Sequence, residues 1–396
     1  MNSEFLVKCE KLDHFGRGMG KVDGKIIFVP DLLPMEEALV RVVSSKKKFM
    51  IGEIIDLRLE SLYRICPKCP YEKCGCALKN LTYEKTLEYK KEKVGNILEK
   101  FGNIHINISN IIPSPVIYGY RNKITLKVRN GKLGYFKNNS NDILEIDKCL
   151  IASDKINQII KVIKKEDLSN VHEVMIRDMD KVMAKIDGKL NLDNIKPLVD
   201  SIYMNDKLVY GDEKIINHIL DYKFFVSKDS FFQVNNGVTT MLYSKVLEYV
   251  GNGDRALDLY CGTGTISLFL SMKFKSVTGI EINKEAIFCA NENKKLNGIS
   301  NVEFICGDAN KFASSLKADV IVVDPARAGL MKDGIENILS VRPQRIVYVS
   351  CDPVTLARDL KDLSQFYEIK EITLYDMFPW TYHVESVCLL TKKDNF

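Results

Sequence analysis

The sequence predicts an α/β protein: a C-terminal, doubly wound domain over residues 226–396, preceded by a small β-barrel at 1–58 and a central α+β domain at 59–225. Three observations carry that division. From Lys228 onward, apolar strand runs alternate with helical runs, the pattern of a sheet covered on both faces. Before residue 58 the chain reads as short strands separated by glycine-rich turns. Between them lie a cysteine-dense loop and a strongly basic stretch.

At 396 residues, 46% hydrophobic and 28% charged, the chain has room for two or three cores and an ordinary globular composition. No apolar run approaches the roughly 18 residues of a membrane span. The start, Met1-Asn2-Ser3-Glu4-Phe5, lacks the basic-then-apolar pattern of a signal peptide. A cytoplasmic monomer with no membrane contact is expected. The formal charge of +5 permits a polyanionic partner without demanding one. Eleven cysteines in a reducing compartment are poor candidates for structural disulfides.

In the first segment, Gly16-Arg17-Gly18-Met19-Gly20 and Asp23-Gly24 are expected to supply positive-φ turns, and Ile26–Val29 and Ala38–Val43 read as strands. A barrel of the oligonucleotide-binding type closes such a segment. The order Gly16–Gly20, Asp23-Gly24-Lys25, Phe28-Val29-Pro30, Leu33-Pro34 resembles the TRAM domain, which implies RNA binding.

Cys66, Cys69, Cys74 and Cys76 follow in a loop kept irregular by Pro67, Pro70 and Gly75, so several thiolates can converge. A helix is expected from about Thr82 to Lys100, with Leu87, Val94, Ile97 and Leu98 on one face and Asn80 or Thr82 as cap. Phe101–Asn141 holds no acidic residue. Within it, Lys123, Thr125, Lys127 and Arg129 alternate with Ile124, Leu126 and Val128, which places cations on one strand face and aliphatics on the other. With Arg121 and the neighbouring Tyr118, Tyr120, Tyr135 and Phe136, that face suits phosphate contacts and base stacking. A solvated strand face is the plain alternative. A second helix is expected at about Ser153–Lys164, and residues 165–225 carry no legible chemistry.

Arg255–Tyr260 reads as a buried strand, Cys261-Gly262-Thr263-Gly264-Thr265 as a tight turn, and Ile266–Phe274 as a helix. Without a third glycine or a Walker lysine the turn alone is weak evidence. The strands that follow end in acids. Glu281 is placed to take ribose hydroxyls, Asp308 to accept from an adenine amino group, and Asp324 precedes Pro325. This arrangement resembles the S-adenosylmethionine-dependent methyltransferase fold. A nicotinamide enzyme is the competing reading.

Tyr348-Val349-Ser350-Cys351-Asp352-Pro353 ends another strand of that sheet, so Cys351 and Asp324 should both face the methyl donor. A thiolate adding to carbon 6 of uracil makes carbon 5 nucleophilic. The carbon 5 proton must then leave, and Glu385, within the apolar run His383–Val387, is the candidate base. Phe231 or Phe232 is expected to stack on a flipped base, with Gln233 and Asn235 bonding the base edge or the cofactor. An inert buried thiol is the bland reading of Cys351.

Phe232-Gln233-Val234-Asn235, Asp258–Gly264, Asp324-Pro325-Ala326-Arg327, Ser350-Cys351-Asp352-Pro353 and His383-Val384-Glu385 together resemble the motifs of the RNA uridine-5-methyltransferase family. The resemblance implies a Rossmann-like class I fold and S-adenosyl-L-methionine contacts at Gln233, Tyr260, Glu281 and Asp324, beside which Gly262 and Gly264 of the turn and Asp308 are expected to meet the cofactor. It implies Cys351 as nucleophile, Glu385 as base and 5-methyluridine as product. Ribosomal RNA of the 23S type is the expected substrate and transfer RNA the runner-up. A cytosine-5-methyltransferase and a non-catalytic RNA-binding protein are the rivals. The resemblance also implies a 4Fe–4S cluster, held by Cys69, Cys74, Cys76 and Cys149. The spacing Cys-x4-Cys-x1-Cys departs from the family's Cys-x5-Cys-x2-Cys, which leaves zinc and Cys66 open.

Overall fold

The computed structural model describes residues 3–72, 74–108, 111–137, 140–312, 316–394 and 396. Met1 and Asn2 of the N-terminal pattern, Lys73 of the cysteine loop, and residues 109, 110, 138 and 139 of the acid-free stretch lie outside them.

The barrel is six strands, β1 (Glu4–Lys8), β2 (Lys11–Leu12), β3 (Gly18–Val22), β4 (Lys25–Val29), β5 (Glu37–Ser45) and β6 (Phe49–Leu59), in the order β1-β5-β6-β4-β3-β2. Alternation sends Val7, Ile27, Val29, Ala38 and Val40 inward. Asp23 and Gly24 both have positive φ and turn β3 tightly into β4. Gly18 and Gly20, expected in a turn, lie instead within β3. A Cβ on Gly18 would stand 2.4 Å from the Leu32 carbonyl oxygen, and one on Gly20 2.6 Å from that of Lys8. Close packing, not turning, requires them.

Helix α1 (Tyr83–Ile97) runs on into a π-helical turn, Leu98–Gly102. Thr82 occupies its N-cap position but makes no side-chain cap bond. Val94, Ile97 and Leu98 are buried together as the periodicity requires, yet they pack with Leu356, Ala357 and Leu360 of the C-terminal domain. Strand β7 (Ile111–Ile112) pairs with that domain's sheet edge. Helix α1 and β7, placed in the central domain by sequence, thus pack with the C-terminal one. An apolar stripe says that a helix is buried, not against what.

The central sheet comprises β8 (Lys123–Arg129), β9 (Lys132–Phe136), β10 (Ile143–Glu145), β11 (Val171–Asp178), β12 (Val182–Gly188), β13 (Ser201–Met204) and β14 (Lys207–Gly211), in the order β10-β9-β8-β11-β12-β13-β14. Helix α2 (Asp154–Ile163), capped by Ser153, buries Ile156, Ile159, Ile160 and Ile163 against it. Ile124, Leu126 and Val128 face this core, so the basic face of β8 is turned away from it, as the alternation predicts. A hairpin, β15 (Ile215–Ile219) and β16 (Tyr222–Val226), buries Ile215, Phe224 and Val226 in the C-terminal core.

The C-terminal domain then runs α3 (Asn236–Val250), β17 (Gly253–Leu259), α4 (Thr265–Leu270), β18 (Phe274–Glu281), α5 (Lys284–Leu296), β19 (Val302–Cys306), α6 (Ala309–Phe312), β20 (Val320–Val323), α7 (Met331–Val341), β21 (Arg345–Ser350), α8 (Pro353–Leu363), β22 (Tyr367–Tyr375) and β23 (Glu385–Lys392). The sheet order is β19-β18-β17-β20-β21-β23-β22-β7. β17 to β21 are parallel, and β23 inserts antiparallel between β21 and β22. The helix expected over Ile266–Phe274 stops at Leu270, and Phe274 opens β18. A helix buried on every side carries no polar stripe to mark its end. Among the described residues no helix is long and apolar enough to cross a membrane.

Candidate active site

Parallel strands deliver their last residues to one edge of a sheet, and that edge is where this molecule is hollow. A cavity of about 730 Å3 opens there, lined by Asp258 of β17, Glu281 of β18, and Asp324 and Cys351 just beyond β20 and β21. Glu385 joins them because β23 runs the other way. It is the first residue of that strand, so its start lies at the edge where the others finish. Chain direction therefore converts residues more than a hundred positions apart into one wall.

Cys351 sits in a rigid turn. Asp352 caps α8 by accepting from the Val354 and Thr355 amides at 2.8 and 3.1 Å, and Pro353 occupies the first helical turn. Ser350 closes the other side: its hydroxyl donates to the Asp352 carbonyl at 3.0 Å and accepts from the Asp352 amide at 3.2 Å. Burial, then the carboxylates of Glu385 and Asp324, push the Cys351 thiol up to about 12, against the pull of Arg327. Glu385 is 3% exposed, and burial, then Asp324, hold its carboxyl protonated well above the usual range. Burial alone raises Asp324 to about 7.

The glycine loop is built for close approach. Gly262 has φ +53 and open space where a Cβ would stand, whereas a Cβ on Gly264, at φ +82, would meet the Phe304 ring at 2.6 Å. Gly262 is therefore the loop's exposed backbone and Gly264 its packing joint. Glu281 braces the loop by accepting the Gly262 amide at 3.2 Å. Tyr260, at φ +65, donates to Asn310 Oδ1 at 2.7 Å, and Asn310 in turn donates to Asp308 at 3.0 Å. Gln233, Tyr260, Glu281 and Asp324 line the cavity, but Asp308 does not. It reaches the site only through Asn310, which sequence reading missed.

Asn235 is a correction. It is 1% exposed, caps α3 through the Val238 amide, and donates to the Ser114 hydroxyl and the Met377 carbonyl. Its amide is committed to protein partners, and it does not line the cavity. Phe231 is 72% exposed where two cavities meet, while Phe232 is largely core, edge-on to Phe224 at 6.2 Å.

The second cavity, of about 640 Å3, shares Phe231, Phe232 and His383 with the first. Lys68, Arg121, Lys123, Lys148, Tyr118 and Phe136 give it cations and aromatic faces. Burial, then Arg177 and Arg121, lowers Lys123 to about 8. Lys127 and Arg129 lie farther along β8 and do not line it: Lys127 pairs with Glu173, and Arg129 lies over the Phe136 ring at 5.4 Å. Cys69, Cys74, Cys76 and Cys149 line the same cavity, while Cys66 is exposed and stands apart. Cys69 and then Cys76 favour Cys74 as the thiolate. Even so, among the described residues no group of three or more His, Cys, Asp or Glu side chains is arranged to hold a metal ion.

His383, Tyr243 and Asp258 also line the first cavity; His383 and Asp258 stood inside family motifs without a role of their own, and Tyr243 outside them. Burial, then Arg327, holds His383 neutral by lowering it to about 4. Asp258 Oδ1 is buried without a hydrogen-bond partner, while Oδ2 accepts from Ser267 at 2.5 Å.

Residues 194–393 match the family model described as tRNA (Uracil-5-)-methyltransferase, and residues 2–55 match the TRAM domain. An uncharacterized RNA methyltransferase of Clostridium acetobutylicum is 35% identical over 450 residues, covering 99% of this chain and 98% of that protein. One from Halalkalibacterium halodurans matches at the same identity and coverage. The Pyrococcus abyssi tRNA (uracil-54, C5)-methyltransferase, crystallised with S-adenosyl-L-homocysteine, is 29% identical with a TM-score of 0.82, over 98% of this chain and 99% of its own. The C-terminal sheet is that of a class I S-adenosylmethionine-dependent methyltransferase, behind an N-terminal TRAM domain. The chain belongs to the RNA (uracil-5-)-methyltransferase family and is an S-adenosylmethionine-dependent RNA methyltransferase.

Proposed function

We propose that this enzyme methylates carbon 5 of one uridine in RNA, with Cys351 as nucleophile and Glu385 as base. The observation that supports it most is the meeting of these two side chains in one cavity with the glycine loop. Cys351 Sγ, as the thiolate, adds to carbon 6 of the uracil, and the electron pair released to carbon 5 would accept the methyl group that S-adenosyl-L-methionine supplies. Glu385 then removes the carbon 5 proton, and the Sγ–C6 bond breaks to restore the ring double bond. Burial makes Glu385 a strong base once it is ionised.

The cofactor fits the residues present: Gly262 offers open backbone, Asp258 an unsatisfied oxygen, and the cavity is of ligand size. Gln233, Tyr260, Glu281 and Asp324 would hold S-adenosyl-L-methionine, which supplies the methyl cation. Phe231 stands where a flipped base enters, and Arg121 and Lys123 face the incoming strand.

Ribosomal RNA of the 23S type is the target we favour, on the motif resemblance. The Pyrococcus abyssi enzyme favours transfer RNA. Mapping 5-methyluridine on total RNA from cells with and without the gene separates them: loss from 23S RNA supports the first, loss from transfer RNA the second. Cys351→Ala is expected to abolish methylation, and Glu385→Gln to accumulate a protein–RNA adduct resistant to denaturation. Normal turnover in either variant refutes that residue's role.

Cys69, Cys74, Cys76 and Cys149 fit a 4Fe–4S cluster by number and donor chemistry, and we propose that they hold one. Iron analysis and absorbance near 400 nm after anaerobic purification test this; zinc without iron would refute it.

A further inference from the structure

Three carboxyl groups face the first cavity almost without counter-charge. Asp258 is fully buried at the end of β17 with Oδ1 unpartnered; Asp324 follows β20; Glu385 opens β23 at 3% exposure. Among the described residues, neither the Asp324 nor the Glu385 carboxyl group has a hydrogen bond to protein. Of the described residues lining the cavity, Arg327 is the only Lys or Arg. From the other elements, α3 contributes Tyr243, β18 contributes Glu281, and the turn after β21 places Asp352 beside Cys351. His383 stays neutral, and burial pushes Cys261 and Tyr260 up. Asp229 and Glu285 add acid at the margin, the former held by Lys185.

Three adjacent carboxylates in a buried site cannot all ionise at neutral pH without a cation. The two cofactor forms differ in this respect. The methyl donor carries a sulfonium positive charge, and the demethylated product has an uncharged sulfur at the same atom.

We infer that the carboxyl cluster of Asp258, Asp324 and Glu385 senses the charge of the cofactor: binding of S-adenosylmethionine expels a proton from it, and binding of S-adenosylhomocysteine does not. This rests on the proposal that the cavity holds the methyl donor. The consequence is selectivity and order. The cluster prefers donor to product, and it gains negative charge when a methyl group is present to be transferred. Glu385 and its neighbours are then poised as bases, and loss of the charge on methyl transfer draws a proton back and favours product release.

The sign follows from linkage. Asp258 and Asp324 both stand near 7 in the unliganded protein, raised first by burial. A ligand that prefers the ionised cluster therefore binds more tightly as pH rises through 7.

Calorimetric titration of the full-length protein with each cofactor form, in two buffers of different ionisation enthalpy, counts the protons. The methyl donor is expected to release up to about one proton more than the product near pH 7. Its Kd should then fall up to about tenfold per pH unit relative to the product's. Asp258→Asn and Asp324→Asn are each expected to shrink the excess release and the donor-to-product affinity ratio, in protein whose melting temperature is checked. Equal proton release for the two forms in the wild-type protein overturns the inference and leaves the methyl-donor site standing. Absence of binding by either form overturns the site itself.

Discussion

Cys351 is held where its acidity is least favourable, between burial and two carboxyl groups, with the Arg327 charge opposing them. A thiol pushed up to about 12 is protonated at neutral pH, so the reactive thiolate is a small fraction that grows about tenfold per pH unit. The single-turnover methylation rate at saturating cofactor and RNA is therefore expected to rise between pH 6.5 and 8.5 in roughly that proportion. A flat profile would show that ligand binding removes the suppression. Arg327→Gln is expected to slow the reaction further by withdrawing a cation that favours the thiolate. The residues at this scale were legible where a motif carries them, as with Cys351, Glu385 and Gly262. Tyr243 was not, because a phenol inside an apolar helix reads as core until the helix is placed against the cavity. Asn235 was misread because an amide in a motif does not show that it is already committed to Ser114 and Met377.

Two elements decide how rigid the site is. Helix α8 begins beside Cys351, and its cap Asp352 satisfies two of its first amides. Asp352→Ala should cost about 1 kcal/mol in urea unfolding, as lost caps do, and should lower turnover more than it lowers cofactor affinity. Helix α1 pins the segment that leads into β23. Lys90 Nζ and Asp376 form a salt bridge at 0% exposure on both sides, and Tyr83 donates to the same carboxylate at 2.8 Å. Lys93 donates to the Tyr382 carbonyl, one residue before His383. Lys90→Met leaves Asp376 buried and uncompensated, at a cost of about 3–5 kcal/mol. A melting temperature unchanged in that variant would show that the pair is dispensable. The helix itself was plain from its spacing. Its partner was not, since contact across nearly three hundred residues leaves no local trace.

At the scale of the molecule, two cavities meet at Phe231, Phe232 and His383, one acidic and proposed for the chemistry, the other basic and aromatic. Opposite charge on the two sides suits a cationic cofactor in one and a polyanion in the other. Arg121→Ala and Lys123→Ala should each raise the KM for RNA, reduce the slope of affinity against salt by about one, and leave the cofactor Kd unchanged. The cysteine loop is part of the same construction. The Leu78 amide donates to the Trp380 carbonyl at 2.9 Å, and Trp380 stacks on Tyr118 at 5.3 Å. By itself the sequence determined the kinds of element, the alternation that turns the cations of β8 away from the core, the family motifs, and the two residues proposed for the chemistry. These are local patterns, set by periodicity and by side-chain type. Only the tertiary structure decided that α1 and β7 complete the catalytic domain, that Lys127 and Arg129 stand off the cavity, and that three carboxyl groups share one desolvated space. Burial and field depend on what the rest of the chain brings alongside, and no stretch of sequence contains that information.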